Sequence, residues 1–536
     1  MGSIGCSRSI KFNKGQIMGL TKYFSKDLLA INRLIKVDQD IVIQKLNETV
    51  VRICFDDDAV NSKEGNCCID LLIRLFARFY PRIILHDCSG NNSVYIKELK
   101  ALAKTINGEI EFVSEKKDST YNIFAGNIRK KKLSKSNTFY LGSDNWIFKY
   151  SRTKKQKFGN SDNPFGSGMA ACLTAANLFR DIFKDFQGID TLDDDVNLSS
   201  YNLNFKNLAN PKFKRIKFND VVITGLGAVG NGLLWSLSKI DDLEGSLHLV
   251  DHDNFSSSNL QRYVMAIEKD IGNLKVSKAK RLLKKKKLSV KIFPAKWSEY
   301  LSQRGDWDID CVVVSIDNAQ DRIGIQSSLP KLILNAFTEG NDIGITRHRN
   351  FISESCLTCS CIPEGPKKHR INEIADNCNI PKYFDLVKDY YNLDKAVDEI
   401  IPGKNESILS IIAKANSFDI AALEQFKGKK IDEFYSDAVC GGNIFTLSNQ
   451  EDKQNNIDVP MAFQSVIAGL LLGIELVKYS GGQKSYNFQR TDFYSLFRLN
   501  EKTNPVHISI PKNATGSCIC GDAIYKERYR EKWLKK

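Results

Sequence analysis

The chain has 536 residues, more than one hydrophobic core can serve, so about two to four domains are expected. Apolar residues make up 42% and charged residues 26%, a balance that excludes a disordered chain, and no stretch reads as a membrane span: the most apolar, 461–477, carries Gln464, Ser465 and Glu475 and reads as a buried helix. The net charge of +14 suits an acidic protein partner, whereas its dispersed basic residues lack the aromatic interleaving of a nucleic-acid surface.

The N-terminus, MGSIGCSRSIKF, lacks the apolar core of a secretion signal, so a reducing, cytoplasmic setting is expected. Fourteen cysteines then point to metal binding or thiol chemistry rather than disulfides. Residues 1–205 read as a first α/β domain. Apolar runs at 51–55 and 82–86 predict buried strands, and apolar spacing at 69–80 and 95–106 predicts amphipathic helices. Neither strand leads into a phosphate-cradling glycine turn. A turn at 163–168 introduces an alanine-rich helix over 169–183.

The second unit spans 206–361. Val221-Val222-Ile223-Thr224 predicts a strand, Gly225-Leu226-Gly227-Ala228-Val229-Gly230 a tight turn, and Leu233, Leu234 and Leu237 a helix. Glycines there let a phosphate approach the backbone N–H groups at the helix start. The next strand, 247–250, ends at Asp251, 21 residues after Gly230, where an acid meets a ribose hydroxyl. Asp253, Asn259, Gln261 and Arg262 follow within one short stretch, and Lys275 stands thirteen positions beyond Arg262. Arg and Lys here would hold a triphosphate and neutralise charge on a pyrophosphate leaving group. A further strand, 311–315, ends in Ile316-Asp317-Asn318, where a carboxylate reaches Mg²⁺ on the phosphates.

Residues 362–450 read as a charged, mostly helical segment, with helical patterns at 371–376, 383–391 and 393–401. Residues 451–536 return to the second unit through the apolar helix and an alternating strand pattern over 486–499. Cys356, Cys359, Cys518 and Cys520 form two close pairs that suit a tetrahedral structural Zn²⁺. The second pair is CxC rather than CxxC, which leaves Cys361 as an alternative fourth ligand. Cys440 stands directly before Gly441-Gly442 and ahead of a helix-leading Pro460, an accessible setting for a nucleophilic thiol, with Cys378 as its competitor.

GLGAVG, VDHDNFSSSNLQR, DIGNLK and SIDN resemble, in order and spacing, the adenylation domain shared by ubiquitin-activating enzymes and the bacterial enzymes MoeB and ThiF. The resemblance implies an α/β chain with a Rossmann-like, parallel-rich adenylation domain, an N-terminal inactive adenylation-like domain and an inserted helical, cysteine-bearing segment. It implies ATP, Mg²⁺ and a ubiquitin-like protein whose C-terminal carboxylate is adenylated, with thioester formation at Cys440 and transfer to a conjugating enzyme. Carried over by position, Gly225, Gly227 and Gly230 cradle phosphate, and Asp251 binds ribose. Asn259, Arg262 and Lys275 hold the phosphates, Asp317 and Asn318 lie at the metal–phosphate group, and Asp253 and Gln261 support them. It also implies an Arg crossing into the ATP site from the inactive half, or from a second copy in a homodimer, and a setting among bacterial ubiquitin-like operons, some linked to phage defence. The competing expectations are a sulfur-carrier adenylyltransferase without conjugation, a nucleotide-binding scaffold, and a nicotinamide dehydrogenase, which does not need this cluster of charges.

Overall fold

Strands buried on both faces form the centre of each of two sheets in the computed structural model. It describes residues 39–128, 137–186, 191–362, 370–416, 420–435, 460–483, 488–513 and 518–535, with the isolated positions 31, 189, 418 and 438. The first sheet contains Val51–Phe55 (β1), Arg82–Asp87 (β2), Glu111–Phe112 (β3), Tyr121–Ala125 (β4), Asn137–Asp144 (β5), Ile147–Ser151 (β6) and Val196–Ser199 (β7). Its order is β3-β2-β1-β4-β5-β6-β7. Pairing is parallel from β3 to β5 and antiparallel beyond. All five residues of β1 are buried, as a central parallel strand covered on both faces requires.

The second sheet contains Ile216–Thr224 (β8), Leu243–Val250 (β9), Lys287–Phe293 (β10), Cys311–Val314 (β11), Leu332–Glu339 (β12), Asp342–His348 (β13), Arg490–Phe493 (β14) and Val506–Ile508 (β15). Its order, β10-β9-β8-β11-β12-β13-β14-β15, repeats that of the first sheet with one strand added. Here too the first five strands in the order are parallel and the rest antiparallel. The N-terminal half is therefore α/β with the strand order of the C-terminal half. Its β1 leads into Asp56-Asp57-Asp58-Ala59 instead of a glycine turn.

Helices in matching places bind the halves together. Lys63–Phe79 (α1) follows β1, and Pro164–Ile182 (α2) follows the β5–β6 hairpin. Ala228–Lys239 (α3) follows β8; Lys275–Leu283 (α4) and Ala319–Ser327 (α5) flank the second sheet; and Ala462–Ser480 (α6) follows the insertion after β13. Asn163 caps α2 by accepting from Phe165 N, and Pro164 occupies its first turn. Every residue of α2 is buried. The close approach at the seam needs a residue without a side chain: a Cβ at Gly168 would lie 2.8 Å from the Trp235 ring. Trp235 Nε1 donates to Asp70 Oδ2 of α1 at 2.8 Å, and Lys239 Nζ lies 3.2 Å from the same atom. Burial opposes charge on Asp70, but Arg74 and Lys239 outweigh it and hold its carboxyl well below the usual carboxylate range.

Helix α6 is long and apolar enough to cross a membrane by length and composition, yet 89% of that window is buried inside the protein. Its buried Glu475 pairs with Arg347 at 3.0 Å and with Lys478 at 3.1 Å, so the carboxylate is not left unpaired, while burial lowers the pKa of Lys478. Residues between β13 and α6 include helices Arg370–Asn377, Phe384–Asn392 and Ile408–Ala415, which share a core of their own around Ile374, Val387 and Ile412. The expected helix at 393–401 does not form. Asp394 takes a positive φ of 55°, and the chain instead makes bridges at Ala396 and Ile400. The helical turn comes later, where the Ser407 side chain caps Ile408–Ala415. The strand pattern expected over 486–499 resolves into β14 alone among the described residues, because Ser495, Leu496 and Phe497 all adopt positive φ and turn the chain.

Candidate active site

In the second sheet the connections diverge at β8, with β9 on one side and β11 on the other, which opens a crevice at the strand C-termini. The cleft there measures ≈ 560 Å³. Gly225 begins the turn after β8 with φ +83°, and a Cβ on it would lie 2.6 Å from Ile316 Cγ2 and 2.8 Å from the Ser315 carbonyl. Only glycine fits there. Ser315 Oγ donates to Gly225 O at 2.5 Å, locking the β8 and β11 loops together. Gly227 caps α3 and lines the cleft, whereas Gly230 sits one turn deeper against the Gly225 carbonyl.

The acids and bases meet on one wall. Asp251, 8% exposed, accepts from Leu226 N at 2.6 Å and from Asp253 N at 2.8 Å, so the carboxylate fixes the glycine turn as well as facing the cleft. Burial raises its pKa, opposed by Lys275. Asp253 Oδ2 accepts from Lys275 Nζ at 2.6 Å. Burial works against charge on Asp253, yet Lys275 prevails and lowers its pKa. Lys275 is itself buried, which works against its charge, but Tyr263, Asp251 and Asp253 hold the ammonium protonated. Lys275 Nζ and Arg262 Cζ lie 5.5 and 5.6 Å from the Tyr263 ring centroid, so one aromatic ring serves both cations. Asp317 lies exposed at the end of β11, lining the same cleft.

Seven of the expected nucleotide-site residues line the cleft: Gly225, Gly227, Asp251, Asp253, Arg262, Lys275 and Asp317. Four lie elsewhere. Asn318 caps α5, its Oδ1 accepting from Gln320 N at 2.7 Å, and Asn259 Oδ1 accepts from Ser256 N at 3.0 Å within its own turn. Gly230 packs against the turn backbone. Gln261, 2% exposed, lines a small cavity at the seam with Phe79 and Phe463 rather than the nucleotide cleft. In its place the cleft gains Tyr263, Lys296, Trp297 and Arg322. Arg322 Nη2 donates to Ile316 O at 2.6 Å, bracing the loop that carries Asp317; its position in α5, five residues beyond Asp317, was the available clue.

The halves meet again beside this site. Arg78 of α1, 2% exposed, donates to the carbonyls of Leu260, Tyr263 and Ala266 at 3.0, 2.9 and 2.6 Å. An arginine of the first half thereby holds the segment that presents Arg262 and Tyr263. It does so through the backbone, without lining the cleft.

Cys356, Cys359, Cys518 and Cys520 converge, their sulfurs within 4.8 Å of one another. The closest separations, Cys356–Cys518 and Cys359–Cys520, are both 3.4 Å, while Cys356–Cys359 is 3.9 Å. Four thiolates about 2.3 Å from one zinc stand roughly 3.8 Å apart, so the donor set fits tetrahedral Zn²⁺. The CxC pair supplies both of its sulfurs. Cys361 falls outside the group and faces Arg322. Cys378 is fully buried in the core of the helical insertion. Cys440 lies outside the described residues.

A model of the ThiF family matches residues 199–511, more than half of the chain. The chain belongs to the ThiF family. A second model, Prokaryotic E2 family C, matches residues 54–184 of this ThiF-family chain. An uncharacterized protein, y4jF, of Sinorhizobium fredii (strain NBRC 101917 / NGR234) is 36% identical over 490 residues, covering 91% of this chain and 92% of that protein. Among solved structures, E. coli MccB shows 17% identity and a TM-score of 0.32, over 57% of this chain and 65% of its own. MccB in complex with MccA-N7isoASN shows 16% identity and a TM-score of 0.34, over 72% and 99%. Both are distant likenesses. Family membership supports ATP-dependent adenylation in the second half.

Proposed function

We propose that the chain activates a ubiquitin-like protein: it adenylates the C-terminal carboxylate with ATP, takes the acyl group as a thioester, and passes it to a conjugating enzyme or target. The observation that supports this best is the meeting of Asp251, Lys275, Arg262 and Asp317 around one cleft behind the glycine turn. In this reading the carboxylate attacks the α-phosphorus, and the bond to pyrophosphate breaks. Lys275 and Arg262 then neutralise the leaving charge, while Asp251 binds the ribose. Asp317 would hold Mg²⁺, which supplies further charge neutralisation on the phosphates. The four-cysteine cluster would hold a structural Zn²⁺ beside the sheet.

Cys440 is the acceptor thiol in this reading. It precedes Pro460, which lines the cleft, and the rival Cys378 is enclosed in a hydrophobic core. The match to Prokaryotic E2 family C supports a place in a conjugation system. The test incubates the purified chain with Mg-ATP and a ubiquitin-like protein that ends in Gly-Gly, followed by a non-reducing gel. A reductant-sensitive band heavier by one modifier, lost in Cys440→Ala, is expected. Adenylation without any such band would favour sulfur-carrier activation.

A further inference from the structure

The positive charge of the chain is dispersed in sequence, but the fold gathers part of it on one edge of the second sheet. β10 ends the strand order, with β9 on its inner side and no strand on its outer side among the described residues. Its exposure follows from that place. No residue of β10 is buried, whereas every residue of the central β11 is. Leu288, Val290 and Ile292 pack against the core on one face, and Lys287, Ser289 and Lys291 stand exposed on the other. An end strand of this kind presents a row of N–H and C=O groups that no ladder uses.

The lysines around that edge are not neutralised. Residues 275–298 contain ten basic side chains and no acidic one. The acids that reach this stretch from outside are already engaged. Asp270 pairs with Lys278 at 2.7 Å and with Arg281 at 3.3 Å, and Asp241 pairs with Lys286 at 3.6 Å and with Lys63 at 3.3 Å. Glu244 of β9 stands in register between Lys217 of β8 and Lys287, and its carboxylate pairs with Arg215. Lys280 and Lys284 lie one helical turn apart at the outer face and C-cap of α4, and Lys285 follows in the turn to β10. These three, with Lys287 and Lys291, are exposed and have no ion-pair partner among the described residues.

We propose that the β10 edge is a docking strip for an acidic, extended segment of a partner protein, which joins the second sheet as a further strand. The open edge supplies main-chain hydrogen bonds, and the lysines select the partner by charge. Lys287 and Lys291 share one side of the strand, about 13 Å apart at roughly 3.3 Å per residue. A partner strand with acids at alternate positions matches them, because its side chains repeat with the same period of two. Lys280 and Lys284 add positive charge from the helix side. The same lysines repel a like edge, so a second copy of this chain does not fit here. A phosphate backbone offers acceptors only, whereas a peptide strand pairs with both the N–H and the C=O groups of the edge. β10 runs on into Ala295, Lys296 and Trp297, which line the nucleotide cleft, so a segment held here lies beside the active site. The strip does not depend on which carboxylate that cleft activates.

The test uses the full-length chain and a short fluorescein-labelled peptide of alternating Glu and Thr, read by anisotropy at low and at high salt. Binding is expected at low salt and should weaken as salt screens the lysines. The double variant Lys287→Glu, Lys291→Glu should bind roughly tenfold or more weakly, with a melting temperature that matches wild type. A peptide with the same glutamates but Pro in place of every Thr keeps the charge and loses half of its N–H groups, so it too should bind roughly tenfold or more weakly. The Glu–Thr peptide should also slow amide hydrogen exchange across residues 287–293, the direct sign of an added strand. No binding at low salt, binding unmoved by the charge reversal, equal affinity for the two peptides, or unchanged exchange in β10 would each overturn the proposal. So would duplex DNA that binds more tightly than the peptide at equal salt and protects the same residues, which would make this edge a nucleic-acid surface.

Discussion

Replacing Arg78 with Met tests whether the first half shapes the second half's active site. The guanidinium reaches three carbonyls between residues 260 and 266. Tyr263 O keeps the Ala266 N–H as a donor after the change, while the Leu260 and Ala266 carbonyls lose their charged partner. A buried group deprived of its hydrogen bond costs about 1–3 kcal/mol, so the two together should cost about 2–5 kcal/mol after relaxation. Much of that falls on the segment holding Arg262 and Tyr263. If about 2 kcal/mol must be restored when ATP binds, kcat/KM for ATP falls roughly 30-fold. Steady-state ATP–pyrophosphate exchange, read beside a melting curve, measures both effects. Arg78→Lys should recover only part, because an ammonium cannot reproduce the planar fork of donors. An Arg78→Met chain with wild-type kcat/KM would refute the link between the halves at this point.

Other outcomes follow from the same geometry. Gly225→Ala forces a side chain into φ +83° and onto Ile316 and Ser315, so ATP affinity measured by calorimetry should fall more than tenfold. Elemental analysis should find one Zn²⁺ per chain, and Cys520→Ser should lose it together with a cooperative melting transition. His348 is buried between Thr346 Oγ1 and the Ser355 carbonyl, and burial pushes its pKa down to about 4. The unfolded chain therefore binds the extra proton between about pH 6.5 and 4. His348 should add full stability above that window and lose up to about 3 kcal/mol of it as pH falls through it. Urea unfolding at pH 7 and pH 5, with His348→Gln as the comparison, reads this slope.

The active half was legible because its signal is local. β8, the glycine turn, α3 and Asp251 lie within one short stretch, and Lys275 and Asp317 end or begin neighbouring elements. Asn318 and Gln261 looked alike in sequence to the cleft residues around them, but a helix cap and a seam contact claim their side chains. Arg78 could not be read: it stands 182 residues before Leu260, and only the folded seam brings them together. The common strand order of the halves was expected from the family resemblance, and from no repeated motif. The first half keeps the order of strands while replacing the glycine turn with Asp56-Asp57-Asp58, so no motif repeats. The helix expected at 393–401 had apolar spacing without a cap, whereas the real one at Ile408–Ala415 has Ser407.

ATP–pyrophosphate exchange by the full chain, with a ubiquitin-like protein that ends in Gly-Gly as acceptor, bears most directly on the central claim. The account predicts exchange that depends on that protein's C-terminal carboxylate and falls at least a hundredfold in both Asp317→Ala and Lys275→Met, with each variant still folded. Exchange that persists undiminished in both variants would place adenylation outside this cleft and contradict the account.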